Sequence, residues 1–332
     1  AVTDEAKQRL IKNLYERFLK TAFKKTSERL GIVYTPIEIV DFIIYSVDWA
    51  AKNILNIPDG LGAKNVKILD PFSGTGTFLV RLIQSGVIDN DKLKEKYKTG
   101  GMFANEILLL AYYISAVNIE VAYHQKLNEF SNFHGMLFAD TFKMFRDSRN
   151  TYIFNYFLDN SMIAKAENES EINVIIGNPP YNVGQKSAND NNQREPYKEL
   201  DEAIKISYVK ASNAVNKNSL YDSYIRAFKF ASERIINSKH DGIICFVTNG
   251  SFIESNSADG LRKCFSEDFS EIYIFNLRGN AYTMGEIRSK EAGNVFGSGS
   301  RTPISIILLI MRQDKIKGEH AKIFYYAVED GL

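Results

Sequence analysis

The sequence is poor in the side chains that bind metals or cross-link a fold: 332 residues hold two cysteines and four histidines. Cys245 and Cys264 lack CxxC spacing, and His124, His134, His240 and His320 are scattered rather than paired at one helical turn. Neither a zinc site nor a disulfide framework is indicated, and no metal is expected. Long apolar runs are missing too. The longest, Ile304 to Met311, is strand length and far short of a membrane span. The N-terminus has no apolar secretion core, so a cytoplasmic location is expected. Charge of one sign is also absent: 41 Lys and Arg against 40 Asp and Glu leave +1. Such a balance does not announce a nucleic-acid binder, which would need local basic clusters or a partner domain. What is present is a 45% hydrophobic chain, enough for one large α/β domain or two smaller ones.

The stretch that organises the chain is Asn178-Pro179-Pro180-Tyr181, at the end of the apolar run Ile172 to Gly177. The run reads as a buried strand carrying a rigid polar loop on its C-terminal tip, where an open α/β sheet does its chemistry. The Asn amide can accept a hydrogen bond from an amino group, the prolines hold a carbonyl to accept a second, and the Tyr offers a flat face for a ring. An exocyclic amine on a heteroaromatic base is a poor nucleophile because its lone pair is delocalised. Two fixed acceptors on its protons favour the localised, tetrahedral form. The plainer reading is that Asn-Pro-Pro ends a strand beside an ordinary aromatic.

Upstream, Asp4 to Lys25 carries Leu10, Leu14, Phe18 and Ala22 at steps of four, the pattern of an amphipathic packing helix. Opening on this helix without an initiator Met suggests a piece of a longer polypeptide. Val33-Tyr34-Thr35-Pro36 then precedes a largely buried helical pattern from Ile37 to Val47. Thr35 and the amides of that first turn suit either a plain helix cap or a carboxylate. Val66 to Asp70 is a short strand, and Pro71-Phe72-Ser73-Gly74-Thr75-Gly76 is a glycine turn feeding a helix over Leu79 to Gln84. There is no Gly-Lys-Ser/Thr ending for a phosphate loop, and Leu79 stands where a dinucleotide fingerprint has its third glycine. Asp70 at the strand tip suits an amino-acid ammonium, as in S-adenosylmethionine. Gly101 to Glu106 reads as a second strand ending in an acid placed for ribose hydroxyls, with a long helix over Ile107 to Glu129 behind it. Met136 to Phe142 reads as a third strand, whose Asp140 suits the amino group of an adenine beside the Phe142 ring. Each acid alone fits a cap equally well, but three at successive strand ends are a pattern.

Beyond the Asn-Pro-Pro-Tyr loop, Asn182 to Lys198 lacks periodicity and reads as a long mobile loop. A helix is expected over Leu220 to Asn237, and strands over Gly242 to Asn249, Glu271 to Leu277 and Ile304 to Met311. Between Arg278 and Pro303 a Gly/Arg/Lys segment carries Phe296. It suits either phosphate tracking with base stacking or a surface loop anchored by one Phe.

The ordered set Tyr34-Thr35-Pro36, DPFSGTGTF at 70 to 78, NEI at 105 to 107, ADTF at 139 to 142, NPPY at 178 to 181 and NVF at 294 to 296 resembles the motif series of adenine-N6 DNA methyltransferases in the gamma order. GIVYTP, IIGNPPYN, SLYDSYIRAF, FVTNGSF and GSGSRTP resemble the methyltransferase portion of Type ISP single-chain restriction-modification enzymes. The resemblance implies a Rossmann-like S-adenosylmethionine-dependent fold, a mostly parallel seven-stranded sheet whose last strand is antiparallel, with helices on both faces. It implies a helical extension over 1–30 and a catalytic domain over 31–332. S-adenosylmethionine would be the cofactor, held at its methionine end by Val33, Thr35, Pro36, Asp70 and the backbone of Phe72, Ser73 and Gly74. Glu106 would take the ribose, and Asp140 and Phe142 the adenine. Asn178 and the Pro179 carbonyl, stiffened by Pro180, would bind the target amine, and Tyr181 and Phe296 would stack on the flipped base. Double-stranded DNA would be the partner, with a covalently linked target-recognition domain and upstream helicase and nuclease domains. The alternatives are a protein glutamine N5-methyltransferase, which faces the same delocalised nitrogen, and a non-catalytic DNA-binding module of a restriction complex.

Overall fold

The computed structural model describes residues 35–146, 158–180, 197–279 and 302–329. The expected N-terminal helix over Asp4 to Lys25, most of the loop after Pro180 and most of the Gly/Arg/Lys segment lie outside the described residues.

The chain enters through α1 (Ile37–Asn53), started by Pro36 at the N-cap. Ile39, Val40, Ile43, Ile44, Val47, Ala50 and Ala51 recur at helical spacing and are all buried. β1 (Ile68–Asp70) then leads through the glycine turn into α2 (Thr77–Ser85). Gly76 caps α2 with φ of 83°, and a Cβ placed there would lie 2.7 Å from Ser115 Oγ. Both the left-handed backbone and the close approach require glycine. Gly76→Ala is therefore expected to cost about 2–4 kcal/mol, read from the shift of the denaturant midpoint at unchanged slope.

α3 (Asn90–Lys98) precedes β2 (Met102–Glu106), and α4 (Leu109–Leu127) precedes β3 (Met136–Phe138). α5 (Leu158–Glu169) returns the chain to β4 (Val174–Gly177). α6 (Lys198–Ile204) runs into a π-helical turn, Lys205–Val209, and α7 (Ser223–Ile236) feeds β5 (Gly242–Asn249). After α8 (Asp259–Asp268) come β6 (Glu271–Arg278), β7 (Ile304–Met311) and β8 (Lys322–Ala327).

The strands form one sheet in the order β3-β2-β1-β4-β5-β7-β6-β8. β7 is antiparallel to both neighbours, and the other pairings are parallel. Every residue of β4, β5 and β7 is buried, which demands cover on both faces. α1 and α7 both pack on β5. Because β1 has β2 on one side and β4 on the other, the chain changes direction there, and the carboxyl ends of β1 and β4 flank a crevice.

The Rossmann-like class is as expected, and two details differ. Among the described residues the sheet has eight strands instead of seven. β8 pairs parallel with β6 at the edge, so the antiparallel strand is the seventh and not the last. Five of the six β8 residues are exposed, so there is no inside-outside alternation to mark the strand. The third strand also stops at Phe138, four residues early, because Asp140 turns the chain into a 3-10 helix, Thr141–Met144, that it caps itself.

Candidate active site

Four strand ends converge on one edge of the sheet. Asp70 closes β1, and β1 runs in register with β2 so that Asp70 pairs with Ala104, two residues before Glu106. Glu106 in turn pairs with Phe138, two residues before Asp140. Gly177 closes β4 against β1: a Cβ on it would lie 3.0 Å from Asp70 Oδ1. The motif that follows Gly177 is therefore held next to the acid that ends β1.

The glycine turn is wired into this edge by its own amides. Phe72 N–H donates to Asp70 Oδ1 at 3.2 Å, Ser73 N–H to the Asn105 carbonyl at 2.9 Å and Gly74 N–H to Glu106 Oε2 at 2.9 Å. Ser73 Oγ meets Ser115 Oγ of α4 at 2.8 Å, and Leu108 N–H donates to Glu106 Oε1 at 2.7 Å. With these donors engaged, the turn has carbonyls and carboxylates to offer a ligand, which suits a cation. A Cβ on Gly74, where φ is 56°, would meet nothing within 4 Å, so the backbone there borders open space.

Asp70 is fully buried, and its Oδ2 has no hydrogen-bond partner among the described residues. Burial pushes its carboxyl up to about 8, opposed by the Phe72 amide and reinforced by the charge of Glu106. Burial likewise raises Glu106 to about 7, against the pull of the Leu108, Gly74 and Ile107 amides. Two acids desolvated side by side are a costly arrangement unless a cation completes them. An orphaned carboxylate oxygen beside an open backbone cradle thus fits the ammonium-bearing end of S-adenosylmethionine.

Asp140 and Phe142 stand at the third strand end. Asp140 Oδ1 accepts from Phe142 N–H at 3.1 Å, and the Phe142 ring lies 5.4 Å from that of Phe72. Thr141 Oγ1 donates to the Pro71 carbonyl at 2.6 Å, tying this corner to the turn after β1.

Asn178 is half-buried at the tip of β4, followed by buried Pro179 and half-buried Pro180. Its Nδ2 donates to Thr35 Oγ1 at 3.0 Å, joining residues 143 positions apart. With Nδ2 turned to Thr35, Oδ1 is the acceptor atom of the amide. Thr35 is held there because α1 is clamped to α2 by Arg81, whose guanidinium donates to both oxygens of Asp41 at 2.8 Å. The Thr-Pro motif thus meets the Asn-Pro-Pro motif, and Pro36, not Thr35, takes the N-cap of α1.

Asp70, Phe72, Gly74 and Glu106 are linked by direct hydrogen bonds, Ser73 by its own contacts to β2 and α4, and Thr35 by Asn178. Val33, Tyr181 and Phe296 lie outside the described residues. Sequence reasoning passed over Tyr197, which donates from its hydroxyl to Asp140 Oδ2 at 3.1 Å. Nothing in the aperiodic stretch before it marks that role. It also passed over Gly177, whose signal is a small residue at the end of an otherwise bulky strand. Among the described residues no group of three or more His, Cys, Asp and Glu could hold a metal ion, and no helix is long and apolar enough to cross a membrane.

The family model described as N-6 DNA Methylase matches residues 6–267. Among solved structures, the chain is 39% identical to a chain of the DrdV-DNA complex, covering 100% of this chain and 31% of that one, with a TM-score of 0.90. It is 40% identical to the ATP-dependent Type ISP restriction-modification enzyme LlaBIII bound to DNA, covering 100% of this chain and 22% of that one, with a TM-score of 0.89. It is 41% identical to a nuclease-deletion mutant of the Type ISP enzyme LlaGI in complex with a DNA substrate mimic, covering 99% of this chain and 26% of that one, with a TM-score of 0.86. The chain therefore spans at most about a third of the length of these relatives. No curated protein matches.

Proposed function

Because the chain belongs to the N-6 DNA methylase family, we propose that it is the catalytic part of an adenine-specific DNA methyltransferase of a restriction-modification system, acting on double-stranded DNA in the cytoplasm. The observation that carries this reading is the Asn178–Thr35 contact at the tip of β4, next to the buried Asp70 at the tip of β1. It sets an amide acceptor beside a cradle for a cation.

S-adenosylmethionine, when bound, supplies an electrophilic methyl group on a sulfonium. Asp70 and the carbonyls of the glycine turn hold its ammonium, Glu106 accepts from the ribose hydroxyls, and Asp140 with Phe142 receives the adenine. Thr35 keeps the Asn178 amide from rotating, so that Oδ1 and the Pro179 carbonyl accept from the two protons of the target amine. Both acceptors stabilise positive charge as it develops on that nitrogen, and they are in place before the reaction begins. Pro179 and Pro180 remove the backbone freedom that would blur this geometry. Tyr181 and Phe296 complete the proposal as stacking partners of the flipped base.

Residues 31–332 are proposed as the catalytic domain and 1–30 as a helical extension of it. Target recognition, DNA cleavage and translocation are assigned to further domains of the same polypeptide. Relatives several times longer and solved with DNA support that division. The glutamine-amide reading faces the same electronic problem, but nothing in the family match or the relatives favours it. Labelled cofactor, duplex DNA and a glutamine-bearing protein substrate, offered together to the full-length protein, separate the two. Label is expected in N6-methyladenine after nucleoside digestion. Label in protein glutamine instead overturns the assignment.

A further inference from the structure

Tyr197 is held far more firmly than its aperiodic surroundings suggest. Its hydroxyl donates to Asp140 Oδ2 at 3.1 Å, and its ring meets Phe142 edge-on with centroids 5.2 Å apart. The guanidinium of Arg226, buried in α7, lies 5.0 Å from the centroid of the same ring. Arg226 grips both oxygens of Asp201 at 2.7 and 2.9 Å, and the Asp201 amide donates to the Tyr197 carbonyl at 2.7 Å. The start of α6 and the side of α7 are thereby locked around one aromatic ring. A bidentate pair as desolvated as Arg226 and Asp201 adds little net stability by itself, but it fixes geometry strongly.

The consequence falls on Asp140. Its Oδ1 is held by the Phe142 amide and its Oδ2 by Tyr197, with Lys143 Nζ at 3.9 Å from Oδ2. A carboxylate tied at both oxygens cannot rotate, yet it keeps lone pairs on each for a further donor. It presents acceptors only, so a purine with a donor at C6 is welcomed and one without it is not.

We propose that Tyr197 is a positioning residue for the adenine end of the cofactor, fixing the Asp140 carboxylate and walling the slot beside Phe142 so that the site reads the exocyclic amine of the purine. This rests on Asp140 being the acceptor for that amine. The role divides into two parts. The hydroxyl sets the discrimination, and the ring under Arg226 sets the shape.

The test is calorimetric binding of S-adenosylhomocysteine and of its analogue with an unsubstituted purine, compared in the intact protein, Tyr197→Phe and Tyr197→Leu. Phe keeps the ring on Arg226 and Phe142, so the fold is retained. The wild-type protein is expected to prefer the amine-bearing ligand. Tyr197→Phe is expected to weaken that ligand by about fivefold to tenfold and leave the analogue unchanged, the size of one lost hydrogen bond acting through a charged acceptor. Tyr197→Leu should weaken both ligands. A Phe variant that weakens both equally, or neither, overturns the role of Tyr197 while a preserved wild-type preference leaves Asp140 standing. A wild-type protein indifferent to the amine overturns both.

Discussion

Asn178→Ala is expected to lower kcat for methyl transfer by about 10³-fold while cofactor affinity stays at the wild-type value, because the loss falls on an acceptor that matters only as charge develops on the target nitrogen. The side chain is half-buried and hydrogen-bonds Thr35, while the pairing of β4 with β5 runs through the backbone, so truncation leaves the strand and its pairing intact. Loss of the hydrogen bond to Thr35 costs about 1 kcal/mol of stability, too little to unfold the protein. Asn178→Asp keeps an acceptor in place but cannot donate to Thr35, and it should retain part of the activity. Single-turnover rates with saturating cofactor, alongside calorimetry, separate chemistry from binding. Undiminished turnover by the alanine variant would remove Asn178 from the mechanism. An equal loss in cofactor binding would make it a structural residue.

Asp70→Asn carries the second large effect, and it has two faces of opposite sign. Cofactor affinity is expected to fall by about 100-fold, since the ammonium loses a buried carboxylate oxygen that has no hydrogen-bond partner among the described residues. Stability without cofactor is expected to rise. The Asn side chain keeps an oxygen for the Phe72 amide but has no charge to desolvate.

The pH dependence follows from the direction of the shift. The folded-state value of Asp70, about 8, lies above the ordinary value of 3.8, so between those limits the native protein binds more protons than the unfolded chain. The favourable contribution of the protonated form is complete below the unfolded value, and it drains away as pH rises through the folded one. Glu106, raised to about 7, adds to the same slope. The thermal midpoint of Asp70→Asn should therefore exceed the wild-type value by a margin that widens from about pH 5 to about pH 9. Wild-type cofactor affinity should strengthen from about pH 5 to about pH 7, as the carboxylates that face the cation ionise while the ammonium keeps its proton. A constant margin across that range would mean that Asp70 is already charged in the empty site.

The acids show how far a linear pattern carries. Asp70, Glu106 and Asp140 are legible because each follows a short apolar run, and strand tips in an α/β chain face one edge. The same rule placed Asn178 after β4. Asp140 also shows the limit. It caps a 3-10 turn, binds the Phe142 amide and accepts from Tyr197, and a cap, a ligand and a positioned acceptor look alike as one letter in a row. β8 escaped notice for a related reason, since an exposed edge strand needs only pairing along its length and leaves no alternation to read.

What the amino-acid order determined by itself is local: the helical pattern of α1, the long helix of α4, the apolar runs of the sheet, the glycine turn after Asp70 and the stiff Asn-Pro-Pro tip. Backbone sterics and side-chain period act over a few residues, so they survive in one dimension. The tertiary structure alone decided that β4 lies beside β1, that Thr35 reaches Asn178 across 143 positions, and that Arg226 braces Tyr197 against Asp140. It alone decided that Asp70 is dry. Those outcomes depend on which distant surfaces bury one another, and desolvation is a property of the packed whole.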